Sequence, residues 1–296
     1  MRAASGLLDL RRAQALCTAA WVAGDPGAVA TAGALAWWHG SSWPDELGEH
    51  LRLWTIDGRD VAWTWHDSGE VEWMVRTGDA ADDRAAMDGI LATVVAEAGD
   101  GAVATWSAED DPGALAALAA AGFGPADRQL SQWQRRLDGD AVRDLPPVPD
   151  LPAGYRIRAV RGREELAARV EVHRAAFVPS RLNVQKYERL AATPPYRFED
   201  DLVVEAPDGS LAAFAMAWWD PVGCVGEFEP VGTHPRHQRR GLGRALLRHG
   251  LHRFVGLGAT VVQVYSDAAN DASEALYAAV GFERRAFHRR WARPPR

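Results

Sequence analysis

The stretch Gln238-Arg239-Arg240-Gly241-Leu242-Gly243 decides the fold, because it joins a predicted strand to a predicted helix. Glycines at such a step let backbone amides approach an anion closely, and the start of the helix adds its dipole. Arg239, Arg240 and Arg244 add charge-assisted contacts to a phosphate. The stretch lacks the Lys-Ser/Thr pair of a P-loop, which disfavours hydrolysis of a nucleoside triphosphate. It also lacks the first glycine of the dinucleotide-binding fingerprint. Taken alone, it also fits an arginine-rich helix start on a solvated face.

Strand and helix patterns alternate on both sides of this stretch. Six segments have the patterns of strands, and four have helical spacing. The predicted strands are 155–160, 202–206, 211–219, one ending near Thr233, 260–265 and one beginning at Phe282, and the predicted helices are 163–177, 184–192, 243–255 and 272–280. The order β-α-α-β-β-β-α-β-α-β predicts the α/β class, with a mixed sheet and helices on both faces.

Two further motifs accompany the glycine-rich step. Glu227-Phe-Glu229-Pro-Val-Gly-Thr233-His-Pro235 precedes it, and Asn270-Asp-Ala-Ser-Glu-Ala-Leu-Tyr277-Ala-Ala-Val-Gly-Phe282 follows it. With the three motifs in this order, residues 155–296 resemble the GNAT (GCN-five-related N-acetyltransferase) family, whose acyl-CoA signature is Q/R-x-x-G-x-G/A. The resemblance implies an enzyme that transfers an acetyl group from acetyl-CoA to an amine. No metal site is expected, because no set of His, Cys and carboxylate residues has the spacing of metal ligands.

The resemblance also implies where acetyl-CoA would bind. Backbone amides at the glycine-rich step would hold its pyrophosphate, and main-chain groups on the preceding strand would pair with its pantetheine arm. Tyr277 would lie near its sulfur, while His234 and His237 are interpreted as loop or phosphate contacts. The implied cofactor-binding residues are Val231, Gly232, Thr233, Gln238, Arg239, Arg240, Gly241, Leu242, Gly243, Arg244, Asn270 and Tyr277.

Two glutamates on the strand before this step are the candidate bases. An ammonium substrate must lose a proton before it attacks a thioester, and the family commonly uses a strand glutamate for this purpose. Glu227, Glu229, Val231 and Thr233 share strand parity, which predicts both carboxylates on the face of the cofactor-binding positions. Glu227 best matches the family's base, and Glu229 is the alternative, as base or as a ligand for a cationic substrate. The resemblance makes Tyr277 the acid that protonates the departing thiolate.

A proline-rich segment divides the chain into halves of opposite charge. Residues 1–144 contain 11 Lys and Arg against 23 Asp and Glu, a net charge of −12, whereas the remainder carries +5 of the total of −7. We predict a degenerate GNAT-like domain at 1–144, a linker at 145–153 and a catalytic GNAT domain at 154–296. The predicted architecture is therefore two tandem acyl-CoA N-acyltransferase folds.

An internal repeat with an offset of 159 residues supports this division. Ala119-Ala-Ala-Gly-Phe123 aligns with Ala278-Ala-Val-Gly-Phe282. At the same offset, Gln238, Gly241, Gly243, Asn270 and Tyr277 fall on Asp79, Asp82, Arg84, Asp111 and Leu118. Acidic residues in this loop would repel a diphosphate, so the first half is predicted to lack the cofactor site.

The predicted acceptor is a small, polar, cationic amine, because an acidic half accompanies the catalytic half. The candidate substrate-binding residues are His173, Tyr187, Tyr196, Trp218 and Trp219, together with Arg174 and Arg181, and a minority of the tryptophans Trp37, Trp38, Trp43, Trp54, Trp63, Trp65 and Trp73. Aminoglycoside-type antibiotics and the cysteinyl amino sugar of mycothiol synthases both fit this description. The sequence is also compatible with acetylation of protein amino groups and with a CoA-sensing module that has no catalytic activity.

Composition excludes several further classes of protein. With 47% hydrophobic and 25% charged residues, the chain is typical of a globular protein, and its net charge does not favour nucleic acid as a partner. Two cysteines rule out a disulfide framework, and Cys224 is interpreted as a buried small residue rather than a nucleophile. No apolar run approaches the ~20 residues of a membrane span. We expect a cytoplasmic protein, either a monomer with an internal pseudo-dimer or a homodimer.

Overall fold

Strand pairing joins the two halves of the chain into one mixed sheet in the computed structural model, which describes residues 1–24, 28–42 and 46–295. The strands are β1 (Arg2–Ala3), β2 (Leu51–Ile56), β3 (Arg59–Asp67), β4 (Glu70–Val75), β5 (Val103–Ala108), β6 (Gly124–Arg136), β7 (Arg156–Ala159), β8 (Asp201–Glu205), β9 (Leu211–Asp220), β10 (Val225–Thr233), β11 (Val261–Asp267) and β12 (Glu283–Arg293). Every strand predicted for the second half is present, with bounds within about two residues of those predicted.

Helices cover both faces of this sheet. Within the described ranges they are α1 (Leu7–Val22), α2 (Ala32–Ser41), α3 (Leu47–His50), α4 (Ala80–Ala98), α5 (Pro112–Ala120), α6 (Asp140–Arg143), α7 (Leu166–Ala176), α8 (Val184–Ala191), α9 (Leu242–Leu257) and α10 (Asp271–Val280). The helix predicted at 163–177 is divided into a short 3₁₀ turn, Arg163–Glu165, and α7. Residues 145–153 contain neither helix nor strand.

The strand order shows an internal duplication. The order is β1-β2-β3-β4-β5-β12-β6-β11-β10-β9-β8-β7, and it reads the same from either end when β1–β6 are exchanged for β7–β12. The duplicated units nevertheless exchange their last strands. β6 runs antiparallel to β11 along Leu130–Arg136, and β12 runs antiparallel to β5 along His288–Arg293. Each half therefore completes the sheet of the other.

The sequence patterns did not predict β6, which is mostly polar. It is a strand because both of its edges are paired, one with β11 and the other with β12. Its buried polar side chains also have partners, since Ser131 donates to Glu274 at 3.0 Å and Gln132 donates to Gln263 at 3.1 Å. Pairing across the sheet thus overrides the weak strand propensity of the segment.

One helix of the first half lies in the core of the second. Ala36 of α2 packs in one apolar cluster with Leu190 of α8 and Trp218 of β9. A Cβ atom built on Gly33 of α2 would lie 2.2 Å from the Cβ of Trp218, and one built on Gly40 would lie 2.6 Å from the Cβ of Leu190. Side chains larger than hydrogen do not fit at either position, so the two glycines set the distance between the halves.

We predict that Gly33→Ala destabilises the whole protein, because the added methyl must push α2 away from Trp218. Overpacking of this kind costs about 1–3 kcal/mol. The matched control is Gly89→Ala in α4, where a Cβ would meet nothing within 4 Å and better helix propensity should stabilise by about 0.5–1 kcal/mol. Chemical denaturation of both variants gives the comparison. Equal stability of Gly33→Ala and the parent protein would contradict the packing role.

Candidate active site

A cleft opens where β10 and β11 stop pairing. The two parallel strands pair only from Val225↔Val261 to Glu227↔Gln263 and then separate. Beyond this point lies a cavity of about 550 Å³. Its walls include Glu229, Pro230 and Val231 from β10, Tyr265, Ser266 and Asp267 from β11, and Asn270, Ser273 and Tyr277 from the start and middle of α10. The edge of β10 that faces this cleft is therefore free to pair with a ligand.

A bulge in β10 lies beside the cleft. Against β9, Phe228 pairs with Ala217 and Val231 pairs with Ala215, so three steps along β10 match two along β9. The extra residue falls at Glu229-Pro230, where proline has no N–H to donate to the ladder.

This bulge corrects the prediction that four residues share one face. Val231 and Thr233 pair with alternate residues of β9, on the face of Phe228, whereas Glu227 lies opposite Trp218 on the other face. The predicted parity of Glu227 with Val231 and Thr233 is therefore wrong, because the inserted residue reverses the alternation. Both glutamates nevertheless line the cleft.

Buried donors hold the Glu227 carboxylate. The residue is 1% exposed, and it accepts hydrogen bonds from the hydroxyl of Thr31 and from Nε2 of Gln263, the latter at 3.0 Å. Gln263 accepts in turn from Gln132, whose Oε1 lies 3.2 Å from Nε2 of His288. Burial raises the pKa of Glu227 to about 7, against the opposing effect of its donors. This carboxyl therefore changes charge near neutral pH.

Glu229 differs from Glu227 in lacking donors. Among the described residues its carboxyl has no hydrogen-bond or ion-pair partner, although its peptide oxygen accepts from Nε1 of Trp218 at 2.7 Å. Burial raises its pKa well above the ordinary value, and the charges of Glu227 and Glu72 raise it further. The Glu229 carboxyl therefore holds its proton more strongly than an exposed glutamate does, and a nearby cation would oppose this effect.

The position of Tyr277 is fixed by both ends of α10. Asn270 caps the helix by accepting from the amide of Ser273 at 3.2 Å, and Gly281 ends it in the left-handed conformation, with φ 94°. Tyr277 is buried and lines the cleft. Burial, with the charges of Glu229 and Glu274, raises the pKa of its phenol above the ordinary value, so the group carries its proton at neutral pH.

The glycine-rich step forms an uncapped helix start at the end of the cleft. Gly241 precedes α9 with φ 78°, and no side chain caps the helix. A Cβ built on Gly243 would lie 3.7 Å from Oγ1 of Thr233, so the step adjoins the end of β10. The remaining predicted residues of the step are exposed except for buried Leu242: Gln238, Arg239, Arg240 and Arg244. Free amides and cations thus surround a position suited to a diphosphate.

The corresponding helix start in the first half is filled by a side chain. Asp79 caps α4 and accepts from the amides of Ala81 and Asp82 at 2.8 and 3.2 Å. An internal carboxylate therefore occupies the place that an external anion would take. This geometry supports the prediction that the first half has no diphosphate site.

A second cavity, of about 510 Å³, adjoins the cleft and lies between the halves. The two cavities share Ser41, Glu227, Glu229 and Tyr265. The second is lined by carboxyl groups from both halves and by indole rings from the first half, and Arg128 and His288 also line it. The carboxyl groups and indole rings are those of Asp67, Glu70, Glu72, Glu227, Glu229, Trp38, Trp63, Trp65 and Trp106. A molecule in this cavity would reach the cleft at the two glutamates of β10.

Glu70 and Glu72, which were not among the predicted site residues, are counterparts of the β10 glutamates. Gly69-Glu70-Val71-Glu72 repeats the pattern Gly226-Glu227-Phe228-Glu229. Glu70 pairs with Ala104 of β5 as Glu227 pairs with Gln263 of β11, and those partners are 159 residues apart. The glutamates themselves are 157 apart, so the offset used downstream does not align them. The repeated Gly-Glu-apolar-Glu pattern was the available signal.

Of the predicted substrate residues, only some reach a cavity. His173 and Arg181 line the cleft, as does Trp37, whose ring lies 5.7 Å from that of His173. Burial, with the charge of Arg169, lowers the pKa of His173 to about 3, so the ring is neutral. Arg174 is exposed and lines neither cavity.

The structure does not bring Tyr187 and Tyr196 to the site. Both hydroxyls donate to Asp201, and Tyr187 is fully buried. Asp201 also accepts from the buried Arg169 at 2.9 Å. The two tyrosines thus belong to a buried polar cluster under α7 and α8, where they hold the carboxylate beside a guanidinium.

Trp218, Trp219 and Cys224 also differ from their predicted positions. Trp218 is 2% exposed beneath α2, and Trp219 packs against Phe254 on the opposite face of the sheet, so neither lines a cavity. Cys224 is half-buried in the turn after β9, not fully buried, with φ 49°. Trp43 lies outside the described residues, and Trp54 and Trp73 line neither cavity.

Comparison with known proteins places this cleft in a family. Residues 171–282 match the model of the acetyltransferase (GNAT) family. The chain carries a GNAT domain. The matched residues begin within α7 and end after α10, so they include both β10 glutamates, Tyr277 and the uncapped start of α9.

Curated relatives match part of the chain. Mycothiol acetyltransferase of Kineococcus radiotolerans is 36% identical over 185 residues, which cover 61% of this chain and 59% of that protein. Mycothiol acetyltransferase of Mycolicibacterium smegmatis is 32% identical over 164 residues, which cover 53% of each. The chain thus spans less than two thirds of the length of these relatives.

Solved structures match both the GNAT domain and the first half. A GCN5-related N-acetyltransferase from Sphaerobacter thermophilus has a TM-score of 0.65 at 18% identity, covering 100% of this chain and 95% of that one. A tandem GNAT protein from the clavulanic acid biosynthesis pathway has a TM-score of 0.64 at 18% identity, covering 99% and 97%. The predicted fold class, two tandem GNAT-like folds, is confirmed. No helix in the described ranges is long and apolar enough to cross a membrane.

We predict that Glu72→Gln raises the melting temperature at pH 8.5 and leaves it unchanged at pH 4. Burial and the charge of Glu70 raise the pKa of Glu72 to about 8, above its ordinary value of 4.5. The folded state then holds a proton that the unfolded chain has lost, so stability decreases between about pH 4.5 and 8. The amide removes this penalty, and we expect a gain of about 2–4 °C in thermal melts. Exposed Glu49→Gln is the matched control, and an equal shift in both variants would contradict the argument.

Proposed function

We propose that this protein is an acetyl-CoA-dependent N-acetyltransferase that acts on the primary amine of a small, polar, cationic molecule. One observation carries the proposal: the separation of β10 from β11 joins an uncapped helix start to a cleft containing Glu227, Glu229 and Tyr277. The GNAT domain spans all of these features. When bound, acetyl-CoA supplies a thioester carbonyl as the acceptor of the amine's electron pair.

The donor side of the cleft suits a diphosphate and an extended amide arm. Amides of the first turn of α9, with Arg240 and Arg244, would bind the diphosphate. Val231 lines the cleft on an edge of β10 that β11 has left, so an amide-containing arm can add to main-chain groups there as a strand does. Asn270 uses its side-chain oxygen to cap α10 and leaves its amide nitrogen for the ligand.

We assign the base to Glu227. Its pKa of about 7 suits proton removal near neutral pH, and two hydrogen bonds fix the orientation of its carboxylate. In the transfer, the amine nitrogen bonds to the acetyl carbon and the C–S bond breaks. The amine proton goes to Glu227, and the phenolic proton of Tyr277 goes to the departing sulfur. Holding amine and thioester together supplies up to ~7–11 kcal/mol of the acceleration.

The relatives favour one specific acceptor as a second candidate. Those named above are called mycothiol acetyltransferases, and mycothiol-synthase-like acylation of a cysteinyl amino sugar would use the same cleft. Aminoglycoside-type amines would fit the same carboxylate-lined cavity. A CoA-sensing module without catalysis would need neither the raised pKa of Glu227 nor the protonated Tyr277 beside it, so we rank it below the enzyme.

Release of free thiol from acetyl-CoA tests the activity, using aminoglycosides, polyamines and amino sugars as acceptors. We expect amine-dependent release, and we expect Tyr277→Phe to lower kcat about 10²–10⁴-fold, because the departing sulfur loses its proton donor. The affinity of this variant for CoA, measured by calorimetry, should stay within about twofold of the parent value, because the substitution removes a single hydroxyl from the binding surface. Unchanged kcat would remove Tyr277 as the acid, and CoA binding without transfer to any amine would favour the sensing module.

The pH profile tests the base. With Glu227 in this role, kcat/KM should rise with pH and level off above an inflection near 7, because only the ionised carboxyl accepts the proton. Glu227→Gln should lose the inflection and about 10²–10⁴-fold in kcat. Glu229→Gln serves as the comparison, since it should keep the inflection. An inflection that disappears in Glu229→Gln and persists in Glu227→Gln would transfer the role to Glu229.

A further inference from the structure

Two carboxyl groups without partners face the same cavity from opposite halves of the chain. Glu72 belongs to β4 of the first half and Glu229 to β10 of the second, and both line the 510 Å³ cavity. Burial is the main cause of the raised pKa of Glu229, and the charges of Glu227 and Glu72 raise it further. Among the described residues neither side chain has a hydrogen-bond or ion-pair partner. Both residues are half-buried, and carboxylates that lose part of their hydration are normally paired.

The other two carboxylates of the repeated pattern do have partners. Glu70 accepts from Arg290 at 2.7 Å and from Nε1 of Trp106 at 3.0 Å. Glu227 accepts from Thr31 and Gln263. Glu72 and Glu229 are therefore the two carboxyl groups of the repeated pattern that have no donor among the described residues.

Much of the rest of the wall is aromatic, and Arg128 and His288 also line it. Indole rings of Trp38, Trp63 and Trp65 line the cavity, and such rings attract cations and pack against alkyl chains. Within the described ranges, no three His, Cys, Asp or Glu side chains are grouped so that they could hold a metal ion. The chemistry of the wall thus favours an ammonium on a short carbon chain.

We propose that the acceptor is a diamine whose second ammonium binds between Glu72 and Glu229 while its reacting amine lies at Glu227. This inference rests on the proposed function, and it makes the first half a determinant of acceptor specificity. The second ammonium supplies the positively charged partner that the two carboxylates lack. A bound cation also keeps Glu229 ionised, so the carboxylates attract the ammonium together.

The test compares two acceptors of equal length, 1,4-diaminobutane and 4-aminobutan-1-ol, which differ in the second ammonium. In the parent protein we expect kcat/KM to be at least about tenfold higher for the diamine than for the amino alcohol, because one charge-assisted contact has an effect of this size. Glu72→Gln should lower kcat/KM for the diamine about 10- to 100-fold and leave the amino alcohol within about twofold. Glu49→Gln, which removes an exposed carboxylate of the same half, should change neither value.

Calorimetric titration of 1,4-diaminobutane into the protein with CoA separates the inference from the activity. Weaker binding to Glu72→Gln than to the parent supports the site even if no amine is acetylated, a result that would overturn the proposed function alone. Equal kcat/KM for the two acceptors, or equal diamine affinity of the parent and Glu72→Gln, would overturn the diamine site while leaving an N-acetyltransferase in place. Equal use of both acceptors would also favour an acceptor with a single amine, such as a cysteinyl amino sugar.

Discussion

The exchange of last strands between the halves is the constraint on which the rest of the structure depends. β6 completes the sheet beside β11, and β12 completes it beside β5, so the hydrogen bonds of four strands cross between the halves. The central pair of strands fixes the distance from β4 to β10. Because β4 and β10 are related by the duplication, their glutamates point toward a common space. The cavity between the halves is thus a consequence of strand order rather than of loop conformation.

The same arrangement places a stability penalty at the site. Glu72 and Glu229 are half-buried without an ion-pair partner among the described residues, and the partial loss of hydration of such groups opposes folding. Glu227 is better satisfied, since Thr31 caps α2 and donates to this carboxylate with the same hydroxyl. A single threonine therefore links the start of a first-half helix to the base of the second half. Active sites commonly lower the stability of the folded protein in this way, because their polar groups are arranged to bind a ligand.

Sequence reasoning predicted the parts of the site that depend on local geometry. The strand-to-helix step at Gly241 and Gly243 and the helix predicted at 272–280, which carries Tyr277, are both present. Long-range pairing was the source of the errors. The polar strand β6 has no local signal, and the bulge at Glu229-Pro230 reverses an alternation that counting by twos assumes. Likewise, the sequence around a tyrosine such as Tyr187 does not distinguish a residue that lines a pocket from one that holds a buried carboxylate.

The strand exchange changes the meaning of the segment at 145–153. That segment separates two sequence repeats, but a cut there would not separate two sheets. A fragment ending before it would contain β5 without β12 beside it and β6 without β11, and the other fragment would have the mirror-image defect. Each would expose unpaired strand edges, which promote association with another chain. Two such fragments expressed together could restore the sheet by complementing each other, as exchanged segments do in domain-swapped dimers. The repeat is therefore a unit of ancestry but not of independent folding.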